Sequence, residues 1–431
     1  MLIETGCIVN LKVDRAEDLP KLKEFMDNNN LKINMAEIGR QMGMDYRTVK
    51  KYLNGYTRPQ TRDRPAAMDS YYDTIKELLE SDTQIFFYKR NLYQYLKDNH
   101  GLIESESAFY HFIRAHDEFN RYFGKSKLGR TQRPVIRFET APGYQAQMDW
   151  KERIPFVLAD TGEVIELNVL VLILGHSRFR IYRPSLWMTQ DILIHHLTEA
   201  FEMLGGVPKV LVTDNMRTVM DRAKTAHHKG VVNHTFEQFA KDFGFKVQPC
   251  MAASPQTKGK VESQMKYLDE IQAYSGKLTL VELFEKIEEL NNRVNSVFNQ
   301  GSGRVPLLDF EKEKDSLQPL PAVNVRNQYR IKTTSAKVNT ASMISVKSNR
   351  YSVPKAYIGK TVTYQIHDSN VYIYDTTKLI AVHVLSDRKL NYSPNHYADI
   401  LACAFPKRDK QEVERIAKRN LNILGGIYSN E

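Results

Sequence analysis

The chain has 431 residues, with 61 Lys and Arg against 51 Asp and Glu, and its formal net charge is +10. Apolar residues make up 42% of it, which excludes wholesale disorder and leaves room for roughly three domains. The longest apolar run, residues 164–174, is too short to cross a bilayer. Three well-separated cysteines, Cys7, Cys250 and Cys403, exclude a disulfide framework and a Cys-rich zinc site. We therefore expect a soluble, intracellular protein of several domains.

The excess of positive charge lies towards the two ends of the chain. Residues 1–133 contain 22 basic and 19 acidic residues, residues 134–323 contain 22 and 24, and residues 324–431 contain 17 and 8. A net charge of +10 is weak evidence for nucleic acid binding by itself, because many proteins reach it. Its distribution is typical of a reaction centre that binds cations, flanked by segments that bind phosphates.

Residues 19–57 have the pattern of short helices joined by a tight turn. Asn34 can cap one helix, with Glu37 as its capping-box partner. Gly43 permits the turn, and Asp45 can cap the next helix. This arrangement predicts an N-terminal helix-turn-helix domain, and the alternative is an ordinary helical hairpin with a solvated basic face. The side chains that the second helix would present to a major groove are Tyr46, Arg47, Thr48, Lys50 and Lys51.

A second helical segment is predicted at residues 69–124, followed by a basic linker at residues 125–142. Within it, Ser105 or Ser107 can begin a helix with an apolar inner face. The turn before this helix is less regular than the first. A second helix-turn-helix that binds DNA and a plain helical spacer therefore both remain open.

The remainder of the chain has the pattern of a multidomain α and α/β protein. Strand-like runs followed by alternating helices and strands predict a mixed α/β core at residues 143–300. The Pro-punctuated residues 306–321 indicate a loop. Short β segments predict a small β-barrel at residues 325–386. Residues 387–431 form a basic tail, in which residues 407–424 indicate an amphipathic helix.

Three acidic residues occupy positions that suit a shared cation site. Asp149 lies in the first strand of the α/β segment, Asp214 closes a buried strand, and Glu262 lies on a helix. A carboxylate at the C-terminal end of a strand points into the crevice where α/β sheets bind ligands. Converging carboxylates repel one another unless divalent cations neutralise them, and oxygen ligands suit Mg²⁺ or Mn²⁺. Two such ions can assist the displacement of a phosphodiester.

Each acid also has an ordinary structural explanation. An Asp after a strand is often a cap, and Glu262 has Lys258 and Lys266 one turn away on either side, which would also form surface salt bridges. The functional interpretation is a metal-binding Glu262 between lysines that bind phosphate. Composition and spacing alone leave both interpretations open.

Three motifs resemble the catalytic core of DDE transposases and retroviral integrases, which is an RNase H-like fold. They are QMDW at residues 147–150, TDNM at 213–216 and PQTKGKVE at 255–262. With the N-terminal helix-turn-helix and NRYSVP at residues 349–354, this order is similar to IstA-type bacterial insertion-sequence transposases. The resemblance covers about residues 30–385 and implies an RNase H-like catalytic core.

The resemblance also implies a function, in which Asp149, Asp214 and Glu262 hold two Mg²⁺ ions that Mn²⁺ can replace. The implied transposase binds the terminal inverted repeats of an insertion sequence, frees 3′-OH ends by hydrolysis and joins them to target DNA. Its implied partners are double-stranded DNA, further copies of the chain and an IstB-type AAA+ ATPase, in the bacterial cytoplasm at the nucleoid. The residues expected to contact DNA around the core site are Asn215, Lys258, Lys260 and Lys266.

Two other functions remain as alternatives. One is a DNA-binding regulator whose core has become structural, which the presence of all three acids disfavours. The other is an RNA-cleaving nuclease, which the helix-turn-helix disfavours because the major groove of A-form RNA is too narrow for a helix. The histidine pairs at residues 195–196 and 227–228 suggest a metal site, but no cysteine lies nearby at ligand spacing. We expect these histidines on a helix surface and in a loop.

Overall fold

The computed structural model describes most of the chain. The residues that it describes are 13, 15–30, 32, 34–57, 67–80, 85–124, 139–225, 228–250, 259–406 and 408–427, without the side chains of residues 259–263, 410 and 424–427. The chain divides into two compact units, Met1–Tyr71 and Tyr72–Glu431. Lys258 and most of the predicted basic linker lie outside the described residues.

The first unit contains the helices α1 (Leu19–Asn28), α2 (Met35–Met42) and α3 (Tyr46–Leu53). Helix α2 begins where the Asn34 side chain accepts a hydrogen bond from the Glu37 N–H at 3.2 Å. It ends at Gly43, whose φ of 65° lies in the left-handed region that glycine tolerates. Asp45 caps α3 by accepting from the Arg47 N–H at 2.8 Å. The buried side chains that pack together are Val13, Leu19, Leu22, Met26, Ile38, Val49 and Leu53.

The predicted capping box at Glu37 does not form. The Glu37 carboxylate accepts hydrogen bonds from Arg40 and Gln41, three and four residues further along α2. A charged donor one turn away competes well with the backbone N–H of Asn34 for this carboxylate. The Asn34 side chain therefore caps the helix without a reciprocal bond.

The second unit opens with the helices α4 (Tyr72–Leu79), α5 (Lys89–His100), α6 (Glu106–Ala115) and α7 (Asp117–Gly124). Gly101, at a φ of 66°, ends α5. Of the two predicted cap residues, Ser105 caps α6 by accepting from the Ala108 N–H. Aromatic rings fill the space between these helices, and the rings of Tyr93 and Phe109 lie 5.4 Å apart.

The α/β core contains a five-stranded sheet with the order β3-β2-β1-β4-β7. The strands of this region are β1 (Gln145–Val157), β2 (Val164–Leu174), β3 (Arg180–Ser185), β4 (Val210–Thr213), β5 (Met220–Arg222), β6 (Val231–Val232) and β7 (Lys246–Pro249). β1, β2 and β3 are antiparallel neighbours, whereas β4 is parallel to both β1 and β7. β5 and β6 pair separately as a hairpin. The central strand β1 is continuous, with an irregularity in its pairing between Lys151 and Ile154.

Helices cover both faces of this sheet. They are α8 (Gln190–Leu204), α9 (His234–Phe243), α10 (Gly259–Leu268), α11 (Leu280–Ser296), α12 (Pro306–Glu313) and α13 (Val323–Gln328). α8 and α9 lie on one face, where Phe201 and Phe239 join the apolar core with Met148 of β1. α10 packs on β1 and β2, and α11 packs on β3. The mixed sheet covered by helices agrees with the fold class expected from the sequence.

Helix α12 lies where the sequence indicated a loop. Pro306 occupies the first turn of this helix, a position that tolerates proline because its N–H has no helical partner. Phe310 stacks on Phe179 of the core with ring centroids 4.3 Å apart. The buried Glu313 carboxylate accepts hydrogen bonds from the Gly143 N–H at 3.0 Å and the Ser177 N–H at 2.9 Å. The packing of the core thus continues past residue 300.

Charged contacts join α5 to the α/β core. The Asp98 carboxylate accepts from the Tyr274 hydroxyl at 3.2 Å and from Lys286 Nζ at 3.1 Å. Arg293 lies 3.9 Å from the same carboxylate oxygen and also binds both oxygens of the buried Glu270. These contacts attach the helical segment to the side of the core formed by α11.

The C-terminal part of the chain contains two small sheets that share one apolar core. Their strands are β8 (Thr333–Lys337), β9 (Met343–Val346), β10 (Asn349–Ser352), β11 (Thr361–His367), β12 (Asn370–Asp375), β13 (Lys378–Val384) and β14 (Leu390–Asn391). One sheet has the order β14-β10-β9 and the other β13-β12-β11-β8. The closed β-barrel therefore stays a prediction.

Two helices end the chain, α14 (Pro394–Ala404) and α15 (Lys410–Ile427). The helix expected at residues 407–424 corresponds to α15, whereas the sequence pattern did not predict α14. In the part of the chain that the structure describes, no helix is both long and apolar enough to cross a membrane.

Candidate active site

Asp149 and Asp214 lie side by side on adjacent parallel strands. In the pairing of β1 with β4, Gln147 is level with Val212. Continuing this register by two residues makes Asp149 level with Asp214, which directly follows β4. Neighbouring strands lie about 4.8 Å apart, and level residues point to the same face of a sheet. In this register the two aspartates are neighbours on one face of the sheet.

The two aspartates point away from the apolar face that α8 and α9 cover. Met148 and Trp150 belong to the apolar core under these helices, so the alternation of side chains directs Asp149 to the opposite face. Across the sheet, Asp149 is level with Val171 of β2 and with Tyr182 of β3. Both aspartates are partly exposed, so a ligand can reach them.

Helix α10, which carries Glu262, packs on the face that carries the aspartates. The Tyr182 hydroxyl donates a hydrogen bond to the main-chain oxygen of Gln264 at 3.2 Å. Arg180, two residues before Tyr182 and on the same face, donates to the Gln264 side-chain oxygen. Gln264 follows Glu262 by two residues on α10. The elements that carry the three acids therefore meet on one face, and the Glu262 side chain itself lies outside the described part of the chain.

A second contact holds the other end of α10 on the sheet. Lys151 of β1, two residues beyond Asp149, forms an ion pair of 2.9 Å with Asp269, which directly follows α10. Both side chains are partly buried, so this pair is better shielded from solvent than an ordinary surface pair. The strand that carries Asp149 is thus joined directly to the end of the helix that carries Glu262.

The structure describes the three lysines expected to contact DNA around the core site to different extents. Lys258 lies outside the described residues, and Lys260 lies on α10 without a described side chain. Lys266 lies in the last turn of α10 and is partly buried. It follows Glu262 by four residues, which is about one helical turn. Their contacts with DNA stay predictions.

The Asn215 side chain bridges three segments inside the protein. Its amide nitrogen donates to the main-chain oxygens of Lys224 and Cys250, at 3.3 and 3.2 Å. Its side-chain oxygen accepts from the Lys224 N–H at 2.8 Å. These bonds join the segment after β4 to the end of β7 and to the loop after β5. Asn215 therefore holds the backbone next to Asp214, and its contact with DNA stays a prediction.

Helix α3 of the first unit presents most of the side chains expected to contact DNA. Tyr46, Arg47, Lys50 and Lys51 are exposed, whereas Thr48 is half-buried. The Lys51 ammonium lies over the Tyr56 ring, 3.7 Å from its centroid. Exposed basic and aromatic side chains on one short helix suit contacts with phosphates and base edges.

The sequence pattern predicted that the two histidines of α8 lie on a helix surface, and that prediction is wrong. His195 is 4% exposed, and its Nδ1 accepts a hydrogen bond from the Ile331 N–H at 3.2 Å. Burial lowers the pKa of both His195 and His196. Ligand atoms of His195, His196 and Glu199 lie within 4.8 Å of one another. With Nδ1 accepting, a neutral His195 carries its proton on Nε2, 3.4 Å from Glu199, which disfavours a metal there. His227 lies outside the described residues.

Arg180, Tyr182 and Gln264, which hold α10 on the sheet, were not predicted from the sequence. Arg180 is 1% exposed although it carries a charge. It belongs to an alternating strand run in which it faces inwards, and a charge at an inward position is an unusual pattern in a sequence. That pattern was the available signal, and its partner on α10 lies 84 residues further along the chain.

Two family models match the chain. The integrase core domain matches residues 139–255, and the C-terminal domain of Mu transposase matches residues 322–391. The first match contains the five-stranded sheet with Asp149 and Asp214, and the second contains both C-terminal sheets. The chain is therefore an enzyme of the polynucleotidyl-transferase type with an integrase core domain.

Similar proteins define the family more closely. The chain is 48% identical to the transposase for insertion sequence element IS232 of Bacillus thuringiensis subsp. berliner, over 100% of both chains. It is 29% identical to the putative transposase for IS5376 of Geobacillus stearothermophilus, over 77% of this chain and 78% of that one. It is 27% identical to the transposase for IS21 of Pseudomonas aeruginosa, over 85% and 90%. This chain belongs to the IS21-type DDE transposases of insertion sequences.

Proposed function

We propose that this transposase binds the terminal inverted repeats of its element, frees their 3′-OH ends by metal-dependent hydrolysis and joins these ends to target DNA. The observation that carries the proposal is the level placement of Asp149 and Asp214 on the face where α10 packs. Glu262 lies on that helix, and its motif follows the two aspartate motifs in the order of the family.

The three acids fit a pair of Mg²⁺ ions, which Mn²⁺ can replace. Asp149 and Asp214 lie about one strand spacing apart, which is close enough for both carboxylates to bind one ion. Without a cation, these neighbouring carboxylates would repel each other. Glu262 adds a third carboxylate, so the donors are all oxygen atoms, which suits these ions. When bound, such ions neutralise charge that develops on the attacking and leaving oxygens.

The groups of the chain then orient the DNA strands. In the first step a water oxygen bonds to the phosphorus at the element end, and the 3′-oxygen leaves and takes up a proton. In the second step this 3′-OH loses its proton, bonds to a phosphorus of the target and displaces a 3′-oxygen there. Lys258, Lys260 and Lys266 bind phosphates beside these reacting groups.

DNA recognition and assembly involve the rest of the chain. Helix α3 contacts the terminal repeat with Tyr46, Arg47, Lys50 and Lys51, with Thr48 at the edge of this surface. Residues 69–124 and the basic C-terminal part, which has 17 basic against 8 acidic residues, add contacts to phosphates. Further copies of the chain bring two element ends together, and an IstB-type AAA+ ATPase assists at the target.

The test is strand cleavage and joining on a duplex that carries the terminal repeat of the element, with Mg²⁺ present. The variants are Glu262→Gln and the matched control Glu166→Gln, whose carboxylate is exposed at the far end of β2. We expect Glu262→Gln to lower cleavage by about 10³-fold or more, since a bound metal supplies several kcal/mol of charge stabilisation. Binding of the repeat should persist, and Glu166→Gln should cleave normally.

Other outcomes would contradict the proposal. Full cleavage by Glu262→Gln would show that Glu262 is not a metal ligand. Tight binding of the repeat without cleavage by the wild-type protein, even with the ATPase partner supplied, would indicate a DNA-binding regulator. Preferential cleavage of RNA would indicate a nuclease with the same fold.

A further inference from the structure

Two arginines from separate parts of the chain meet at one tyrosine of α10. Tyr267 lies five residues after Glu262 on this helix. The guanidinium carbon of Arg90, at the beginning of α5, lies 4.0 Å from the centroid of the Tyr267 ring. The guanidinium carbon of Arg180, from β3, lies 5.4 Å from the same centroid. Both distances are within the range of attraction between a cation and an aromatic ring.

Arg180 has a buried guanidinium, and the side chains that contact this group lie mainly on α10. Its side chain is 1% exposed, and its guanidinium donates to the amide oxygen of Gln264. Its main chain is held in place by Asn295, which accepts from the Arg180 N–H and donates to the Arg180 oxygen. The Arg180 Nε has no hydrogen-bond partner in the described part of the chain. A buried guanidinium is costly, so the contacts with Gln264 and Tyr267 hold α10 against β3.

Arg90 connects the preceding helical segment to the same helix. Its Nε and Nη2 are buried without a hydrogen-bond partner in the described residues, although the whole side chain is only half-buried. Its closest ring contact is Tyr267, and a second ring, Tyr88, lies 5.2 Å away. The stacking of Arg90 on Tyr267 is therefore the principal interaction of this guanidinium with α10.

These contacts determine where α10 places Glu262. Gln264 and Tyr267 follow Glu262 by two and five residues, which is about 3 and 7.5 Å along the helix axis. A change in the rotation or axial position of the helix would break the contacts at both residues. From this geometry we infer that Arg90 and Arg180 are positioning residues for Glu262, and that docking of α5 through Arg90 is required to complete the metal site.

This inference rests on the proposed function of Glu262, so the test measures metal binding separately from catalysis. The full-length protein is titrated with Mn²⁺, and the loss of the free-ion signal is followed by electron paramagnetic resonance. The variants are Tyr267→Leu, Arg90→Met and the control Tyr267→Phe, which keeps the aromatic face. We expect Tyr267→Leu and Arg90→Met to weaken Mn²⁺ binding by about 10-fold or more, a typical effect of residues that orient metal ligands. Tyr267→Phe should bind Mn²⁺ like the wild type.

Cleavage of the terminal repeat and urea unfolding are measured on the same variants. We expect cleavage by Tyr267→Leu and Arg90→Met to recover at high Mn²⁺ concentration, since the acids are intact. A lower unfolding midpoint with unchanged Mn²⁺ affinity in both variants would mean a merely structural role and would overturn the inference. If Tyr267→Leu does not fold, the Mn²⁺ affinity of Arg90→Met, at a half-buried position, decides between these two outcomes. Failure of the wild type to bind Mn²⁺ would overturn the proposed function as well.

Discussion

Asp214 and Asn215 are neighbours in the chain, and their side chains have different roles. Asp214 is level with Asp149 at the candidate metal site, whereas Asn215 bonds to Lys224 and Cys250 inside the protein. A short polar motif can therefore contain one residue at a candidate metal site and one that holds the backbone in place. The side-chain amide of Asn215 makes three hydrogen bonds, so most of its hydrogen-bonding capacity is used.

We predict that Asn215→Ala destabilises the protein by about 1–3 kcal/mol, because it leaves partly buried backbone groups without these partners. The free energy of unfolding in urea is the measurement. The matched control is Asn292→Ala, whose side chain is exposed on α11 and whose loss should change stability by less than about 0.5 kcal/mol. An equal, small effect of both substitutions would show that the bridge at Asn215 is not needed.

The positions of the two aspartates could be predicted from the sequence, but the partners of Asn215 and Arg180 could not. A strand-end Asp is recognisable because the strand before it is apolar and the motif is local. The partners of Asn215 lie 9 and 35 residues away, and the partner of Arg180 lies 84 residues away. Such pairings depend on how the strands are ordered in the sheet, which periodicity alone does not determine.

Helices with local signals at both ends were predicted well. Helices α2, α3 and α6 begin at Asn34, Asp45 and Ser105, whose side chains make the capping bonds. The error at α12 has a physical reason, since Pro306 suits both a loop and the first turn of a helix. At Gly39 of α2 the main chain of the following turn lies too close to leave room for a Cβ, and a substitution there tests this packing.

We predict that Gly39→Ala disrupts the packing of α2 and α3, at a cost of about 1–3 kcal/mol. A Cβ at this position would lie 2.7 Å from the Met44 main-chain oxygen, which is too close for any side chain. Hydrogen exchange of the α2 and α3 amides in the full-length protein is the measurement, and we expect it to become faster. Gly124→Ala is the control, because a Cβ there meets no atom of the described residues within 4 Å. Unchanged exchange in Gly39→Ala would contradict this close packing.

Across the whole molecule, buried histidines link stability to pH. Burial lowers the pKa of His195, His196 and His383, and burial with the charge of His383 lowers the pKa of His396 to about 4. In the unfolded chain these imidazoles have a pKa of about 6.5. Between the lowered pKa of the folded state and the pKa of about 6.5 in the unfolded chain, the unfolded chain binds more protons than the folded protein. The stabilising contribution of these groups is therefore complete above about pH 6.5 and is lost as the pH falls towards 4.

We predict that His396→Gln reduces the loss of stability between pH 6.5 and 4. In the wild type the buried imidazole is neutral and takes up a proton when the chain unfolds, and the variant lacks this proton uptake. Unfolding in urea at pH 7, 6 and 5 compares the variant with the wild type. His228→Gln is the control, since it makes the same substitution at an exposed position. Parallel curves for the wild type and His396→Gln would refute a role of His396 in this pH dependence.

The carboxylate of Glu313 has a consequence for the order in which the chain folds during synthesis. Its partners, the N–H groups of Gly143 and Ser177, leave the ribosome 170 and 136 residues earlier. The helices of residues 19–57, which form their core among themselves, can fold as soon as they emerge. The sheet that carries the aspartates acquires this buried partner only when about three quarters of the protein has been translated. A nascent transposase can thus hold a folded N-terminal helical segment well before its integrase core is complete.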